Sequence, residues 1–394
     1  MLILNTASAY RQALDPADAA TLGADAAAAA LEVVSLRPEY RPTPLHALPG
    51  LAGELGVAAV HVKDEGHRLG LGSFKALGGA YAVIRIVQEE AARALGRTVE
   101  AADLQSPNVR AIAAGLTFCC ATDGNHGRSV AQGAQLVGAR AVVFVHARVT
   151  DDRVAAIARF GAEMVRVDGT YDDSVEEAAR VAEREGWTLV SDTSWPGYER
   201  VPGLVMQGYT VLVHEALATL AEPPTHVFVQ AGVGGIAAAA AAHMALVLDD
   251  RRPVFTVVEP ERAACIFACA RDGSMAKIAH GEPTVMAMLE CYEPSLVAWR
   301  VLARAADAFM TVTDEAAVAV MNRLARPAPG DPAVVAGESG GAGLAGLIAA
   351  AGDPAARAAI GLDEGSRVLV VNMEGATDAG RYRELVGMDP AVVG

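Results

Sequence analysis

The stretch HVFVQAGVGGIAAAAAAHMALVL, residues 226–248, contains no Asp, Glu, Lys or Arg and reads in three pieces. A short β-branched and aromatic run makes a strand, a glycine-rich turn follows, and an alanine-rich run makes a helix. Its uncharged length imitates a membrane span, yet Gln230, the turn glycines, His243 and Ala in place of Leu or Ile argue for a buried strand, turn and helix. A strand that opens into a helix through such a turn is the βα unit of a parallel sheet. The same alternation recurs on the N-terminal side, where AVVFVH at 141–146 precedes a helical pattern at 150–160 and MVRV at 164–167 precedes another at 174–185. Further strands are expected at 60–63, 116–121, 254–258 and 368–372. The chain therefore reads as an α/β fold of open parallel sheets flanked by helices.

With 394 residues at 52% hydrophobic and 20% charged, the chain is long and apolar enough for two domains with substantial cores. The formal charge of −15 argues against a nucleic-acid backbone or an anionic membrane surface as partner, and points to a small molecule. The opening MLILNTASAY has no basic segment ahead of an apolar run, and the five cysteines show no CxxC spacing. A cytoplasmic location is expected, with neither a zinc module nor a disulfide scaffold. No Pro/Gly/Ser-rich linker separates two halves, which favours interleaved domains: a large one from residues 1–81 and 200–394, and a smaller one, 82–199, inserted in it.

Lysine usage carries the first chemical signal. Only Lys63, Lys75 and Lys277 occur among 32 basic residues, so a lysine inside the glycine-rich GLGSFKALGGAY, residues 70–81, points to an amine that can lose its proton. Ser73 can cap a helix that starts beside it, and an amine at a helix N-terminus in apolar surroundings is expected to have a lowered pKa suited to covalent catalysis. In ATDGNHGRS, residues 121–129, Asp123 and Asn125 stand on a strand-to-helix turn able to reach a ligand; no metal is expected there, because no second ligand cluster lies nearby. In QAGVGGIAA, residues 230–238, Gly232, Gly234 and Ala237 satisfy the dinucleotide pattern, with Glu259 where a ribose-binding acid would lie. The physics of that turn says only that backbone amides meet a phosphate, so a cofactor with one phosphate fits equally. GESGG at 337–341 imitates a hydrolase nucleophile elbow, but the last histidine, His280, precedes Ser339, which is the wrong order for that fold.

SFK, DGNHG, GVGG and a late SGG, in this order, resemble the fold-type II pyridoxal-phosphate enzymes, the group of serine/threonine dehydratases and tryptophan synthase β chains. Longer matches are narrower: KDEGHRLGLGSFKALGGAYAV at 63–83, ATDGNHGRSVA at 121–131, GTYDDSV at 169–175, SDTSWPGYE at 191–199 and TVMAMLECYEP at 284–294 look like the diaminopropionate ammonia-lyase family. The resemblance spans about residues 35–380. It implies a tryptophan synthase β-like fold of two domains with pyridoxal 5′-phosphate in the cleft between them, and a homodimer. Lys75 resembles the Schiff-base lysine, Asn125 the asparagine on the ring's 3′ oxygen, and Gly232, Val233, Gly234 and Gly235 the phosphate cup. Asp123 and Asp192 resemble two catalytic acids near the substrate, with Ser73, Tyr171 and Tyr292 beside them. Cys265 and Cys291 match a pair able to face each other near the entrance, expected free in a reducing compartment.

The implied reaction is α,β-elimination of 2,3-diaminopropionate to pyruvate and ammonia, with Asp123 or Lys75 removing the α proton. Dehydratases of the group usually carry Ser where this chain has Asp123, and a carboxylate suits a second amine better than a hydroxyl does. Tyr292 and Glu290 depart from the family pattern and keep open a dehydratase or β-replacement enzyme acting on serine, threonine or a larger β-substituted amino acid. Met373 stands where relatives often have a hydroxyl on the pyridine nitrogen, which leaves Ser339, Glu374 and Thr377 as candidates for that contact.

Overall fold

The computed structural model describes residues 1–122 and 124–393. Among them the strands run β1 Leu2–Leu4, β2 Leu45–Ala47, β3 Ala59–Asp64, β4 Thr117–Ala121, β5 Arg140–His146, β6 Glu163–Val167, β7 Thr188–Leu189, β8 His226–Gln230, β9 Val254–Pro260, β10 Ala308–Val312 and β11 Arg367–Asn372. They form a seven-stranded sheet, in the order β1-β10-β9-β8-β11-β3-β2, and a four-stranded sheet, β6-β5-β4-β7. Both sheets are parallel except at β1 and β2, the antiparallel edges of the larger one.

The stretch 226–248 folds as its pattern predicts, into β8, a turn and the helix Gly235–Leu248. Its run Ala237–Ala242 is buried throughout. Side chains this small let the helix lie close against its neighbours Arg200–Thr219 and Leu296–Ala305. No helix among the described residues is long and apolar enough to cross a membrane. The strands missed by the sequence reading are β1, β2 and β7, which are only two or three residues long, and β10, whose AFMTV is hidden at the end of an alanine-rich run. The boundary expected at residue 82 falls within the continuous helix Lys75–Leu95.

Register decides where chemistry can sit. Asn372 of β11 pairs with Asp64 of β3, and Gln230 of β8 with Val258 of β9, so these strands finish side by side. The segments that leave β3, β8 and β11 are those that carry Lys75, the glycine turn and Glu374. β4 leads to Asn125 and β7 to Asp192. All five are carboxyl ends of strands, where open parallel sheets place their ligands.

Candidate active site

Lys75 is the first residue of the helix Lys75–Leu95, and its N–H lies 3.4 Å from the Ser73 hydroxyl. Its ammonium reaches across to the smaller sheet, where Lys75 Nζ donates to Asp192 Oδ2 at 2.6 Å. Asp192 is held there by its own loop. The Tyr198 hydroxyl donates to the Leu189 carbonyl at 2.7 Å and accepts from the Ser191 N–H at 3.1 Å, while Ser194 meets Ser295 through hydroxyls 2.6 Å apart. SDTSWPGYE is thus a pinned turn, with Trp195 and Tyr198 stacked at 4.3 Å.

This geometry corrects the expected charge state of Lys75. Burial on its own lowers the pKa of the ammonium, but the adjacent Asp192 carboxylate outweighs it and raises the pKa above the ordinary lysine value. Asp192, in turn, is held below the usual carboxylate range by Lys75 despite its burial. Apolar surroundings alone do not decide the matter when a counter-charge sits at hydrogen-bond distance.

The glycine turn between β8 and its helix has the shape of an anion cradle. The first amides of the helix have no intrahelical acceptor. A Cβ on Gly232 would lie 2.9 Å from Cys291 Sγ. Gly234 has φ +100°, and a Cβ there would lie 2.9 Å from Ile266 Cδ1, so a side chain at Gly234 damages the fold as well as the cradle. The Val233 carbonyl accepts from the Ser295 N–H at 2.9 Å, and Gly235 lies beside the Asp192 backbone and the Tyr209 ring.

Asn125 opens the helix Asn125–Val137 and is buried. Its Nδ2 donates to Glu374 Oε2 at 2.9 Å, and its Oδ1 accepts from Arg128. Ser339 is buried, with its hydroxyl accepting from the Met288 N–H at 3.1 Å. Thr377 is exposed, beside Gly72, and Ser73 is buried, bridged through its backbone to Glu374. Tyr171 lies on the surface at the start of the helix Tyr171–Glu185. Tyr292 donates to Glu290 Oε1 at 2.8 Å and rests on the His280 ring at 4.1 Å; its neighbour Cys291 is the residue that turns toward Gly232. All five cysteines, Cys265 and Cys291 included, are free. Asp123 lies outside the described residues.

The structure adds two residues that sequence reasoning did not place in the site. Tyr209, on the helix Arg200–Thr219, is buried against Phe74 with ring centroids 4.8 Å apart. Burial holds its phenol well above the usual tyrosine value even though Lys75 pulls the other way. His126 is buried, with Nε2 2.8 Å from the Val190 carbonyl, and burial lowers its pKa so that the ring is neutral. Tyr209 reads locally as one more core aromatic, and no neighbouring motif marks it. Around Lys75, Tyr209 Oη, His126 Nδ1 and Glu374 Oε1 are buried with no hydrogen-bond partner among the described residues. Buried orphans of this kind are rare in a finished core, and they fit a polar ligand that completes them.

Glu259 removes the dinucleotide reading. Its carboxylate accepts the Ile266 and Phe267 N–H groups at 2.9 and 2.6 Å, capping the helix Cys265–Asp272, and it is fully buried, so it cannot meet a ribose.

A lysine amine at a helix start, a glycine cradle for one phosphate and unpaired polar atoms between two parallel sheets define an enzyme that holds a phosphorylated carbonyl cofactor. The family model described as "Pyridoxal-phosphate dependent enzyme" matches residues 36–374. The diaminopropionate ammonia-lyase of Escherichia coli (strain K12) is 38% identical over 353 residues, 88% of this chain and 87% of that protein. That of Salmonella typhimurium (strain LT2) is 36% identical over 361 residues, covering 89% of each. The crystal structure of the E. coli enzyme in complex with an aminoacrylate-PLP azomethine reaction intermediate superimposes with a TM-score of 0.85 at 34% identity, covering 98% of this chain and 97% of that one. The chain belongs to the pyridoxal-phosphate dependent enzymes and, among them, to the diaminopropionate ammonia-lyase family. Its cofactor is pyridoxal 5′-phosphate, and the cradle and the orphaned atoms around Lys75 fit that group.

Proposed function

We propose that the chain catalyses the α,β-elimination of 2,3-diaminopropionate, which with water gives pyruvate and two ammonia. The observation that carries this reading is the Lys75 Nζ to Asp192 Oδ2 pair at 2.6 Å beside the Gly232–Gly235 cradle, in a chain 38% identical to a diaminopropionate ammonia-lyase over most of its length. Pyridoxal phosphate, when bound, supplies a carbonyl for covalent capture of an amine and a ring that takes up the electrons left by a broken Cα–H bond. The amides of Gly232–Gly235 would hold its phosphate. Asn125 Nδ2 has a second N–H beside the one given to Glu374, and this one would be free for the ring's 3′ oxygen.

Lys75 Nζ would be the cofactor's covalent anchor and, as a free amine, is placed to take the α proton or to return one to the leaving β nitrogen. Asp192 keeps Nζ oriented and, as an anion, attracts the second ammonium of the substrate. Asp123 is assigned the matching proton transfer for the other enantiomer of the substrate. A hydroxyl-bearing substrate such as serine brings the Asp192 carboxylate no second cation beside Lys75, which favours a diamine. The dehydratase or β-replacement alternative leaned on Tyr292 and Glu290. Their polar atoms engage each other and, for Glu290, the Thr284 N–H at 3.3 Å, which gives that alternative no support.

The working enzyme in this reading is a homodimer in the cytoplasm, engaged in amino-acid degradation, with residues 82–199 forming the smaller domain. The free cysteines suit a reducing compartment. Holoenzyme incubated with each enantiomer of diaminopropionate, with serine, with threonine and with O-acetylserine should release ammonia and 2-oxo acid fastest from diaminopropionate. Faster turnover of serine or threonine overturns the reading.

A further inference from the structure

Glu374 follows the end of β11 and is 2% exposed. Its backbone is bridged to Ser73, two positions before Lys75, and its carbonyl accepts the Gly337 N–H at 3.0 Å. The residue therefore stands between the Lys75 segment and the glycine-rich loop 337–341. One carboxyl oxygen, Oε2, accepts from Asn125; the other, Oε1, is buried and has no partner among the described residues. No cation claims it. Arg128 gives its hydrogen bond to Asn125, and Lys75 is engaged with Asp192. A buried carboxyl oxygen left unpaired is costly unless a ligand atom completes it. Of the other candidates for the ring nitrogen, Thr377 is exposed, and Ser339, whose hydroxyl accepts the Met288 N–H, keeps an O–H that could bond a neutral ring nitrogen but is too weak an acid to protonate it.

We propose that Glu374 hydrogen-bonds the ring nitrogen of the bound cofactor and passes it a proton, with Glu338 setting how readily it does so; this rests on the cofactor site proposed around Lys75. The transfer moves one proton from the carboxyl oxygen to the ring nitrogen, leaving a carboxylate beside a protonated ring, and no other bond changes. A protonated ring accepts electrons more strongly, which lowers the barrier to removing the α proton. Burial, then repulsion from Glu338, pushes the Glu374 carboxyl up to about 7, so a proton is available near neutral pH. Glu338 is buried next to Gly337, the residue whose N–H donates to the Glu374 carbonyl at 3.0 Å, and the other charged groups that act on the carboxyl are Arg128 and Lys75.

The test uses holoenzyme rebuilt with pyridoxal phosphate isotopically labelled at the ring nitrogen and read by nitrogen NMR. The wild-type signal should fall in the range of a protonated pyridine at neutral pH. Glu374→Gln keeps the shape but offers no acidic proton; it should move the signal to the neutral-ring range and weaken cofactor binding by about tenfold to a hundredfold. Glu338→Gln should shift the pH midpoint of the wild-type signal downward, which keeps the proposal testable if Glu374→Gln does not fold. A neutral ring in the wild type, a protonated ring in Glu374→Gln, or an unmoved midpoint in Glu338→Gln overturns the proposal. If the wild type forms no visible band that depends on Lys75, the cofactor site itself falls; a normal band over a neutral ring sinks only the role of Glu374.

Discussion

Two charged clusters stand on either side of the segment 63–75, and they are built differently. In the first, Lys63 donates to Glu215 Oε2 at 2.6 Å and to the Thr43 carbonyl at 2.8 Å. Arg68 meets Glu65 Oε2 at 2.7 Å and both oxygens of Glu215 at 2.8 and 2.7 Å. Tyr40 adds a further donor to Glu215 at 3.0 Å. The charges answer one another, and the cluster is complete as it stands. In the second, Lys75 and Asp192 are paired while Glu374, Tyr209 and His126 each leave an atom unanswered. The first pair of cations is buried outright and the Lys75–Asp192 pair only in part; unfinished hydrogen bonding belongs to the second cluster. The first cluster ties β3 to the helix Arg200–Thr219 and steadies the approach to Lys75, and the second waits for a ligand.

The largest effect that separates them is expected from Lys75→Ala. Activity should fall on the order of ten-thousandfold or more, as for loss of a covalent catalytic group, with the visible band gone and the thermal midpoint little changed. Borohydride-reducible cofactor found on Lys63 or Lys277 in that variant would break the comparison. Glu215→Ala should do the reverse. It strands Lys63 without its counter-charge, leaves Arg68 with Glu65 alone, and should lower unfolding stability by about 3–5 kcal/mol in urea titrations, while turnover per folded molecule stays near wild type.

Glu374 contributes a pH dependence of definite sign. Its carboxyl, raised in the fold from an ordinary 4.5 to about 7 by burial and then by Glu338, keeps a proton that the unfolded chain has already lost. Its share of stability is therefore largest below the unfolded value and falls as pH rises through the folded one, by up to about 3 kcal/mol, levelling off above that. Urea unfolding of cofactor-stripped protein across this window should show the decline, and Glu374→Gln should flatten it.

Smaller effects sharpen the contrast further. Asp192→Asn should retain the cofactor but lose about a hundredfold in kcat, and acylation of Lys75 in cofactor-stripped protein should begin at lower pH, because the carboxylate is what sustains the ammonium against burial. Tyr209→Phe should cost the cofactor-stripped protein no stability and should gain it up to about 1 kcal/mol, since an orphan hydroxyl is removed. The same variant should bind pyridoxal phosphate more weakly, by about fivefold. An equal loss of stability from Tyr209→Phe and from Glu215→Ala would show that the two clusters are not different in kind.

Local pattern was enough for much of this protein. The alternation of strand and helix, the glycine turn at 232–235 and the lysine at a helix start in SFK are carried by neighbours in the chain, because glycine spacing, β-branched runs and helix starts are short-range properties. Assigning the chemistry went further only through resemblance of ordered motifs. Three things depended on distant segments meeting. Asp192 decides the charge of Lys75 across 117 positions of sequence. Glu259, which by spacing alone suits a ribose, is used up as a helix cap once the following loop turns back on it. Tyr209 and Glu374 become part of the site only because the helix Arg200–Thr219 and the end of β11 close around the same space. Electrostatic shifts and unsatisfied hydrogen bonds are sums over whatever surrounds an atom, and those surroundings come from the tertiary fold rather than from the residues on either side.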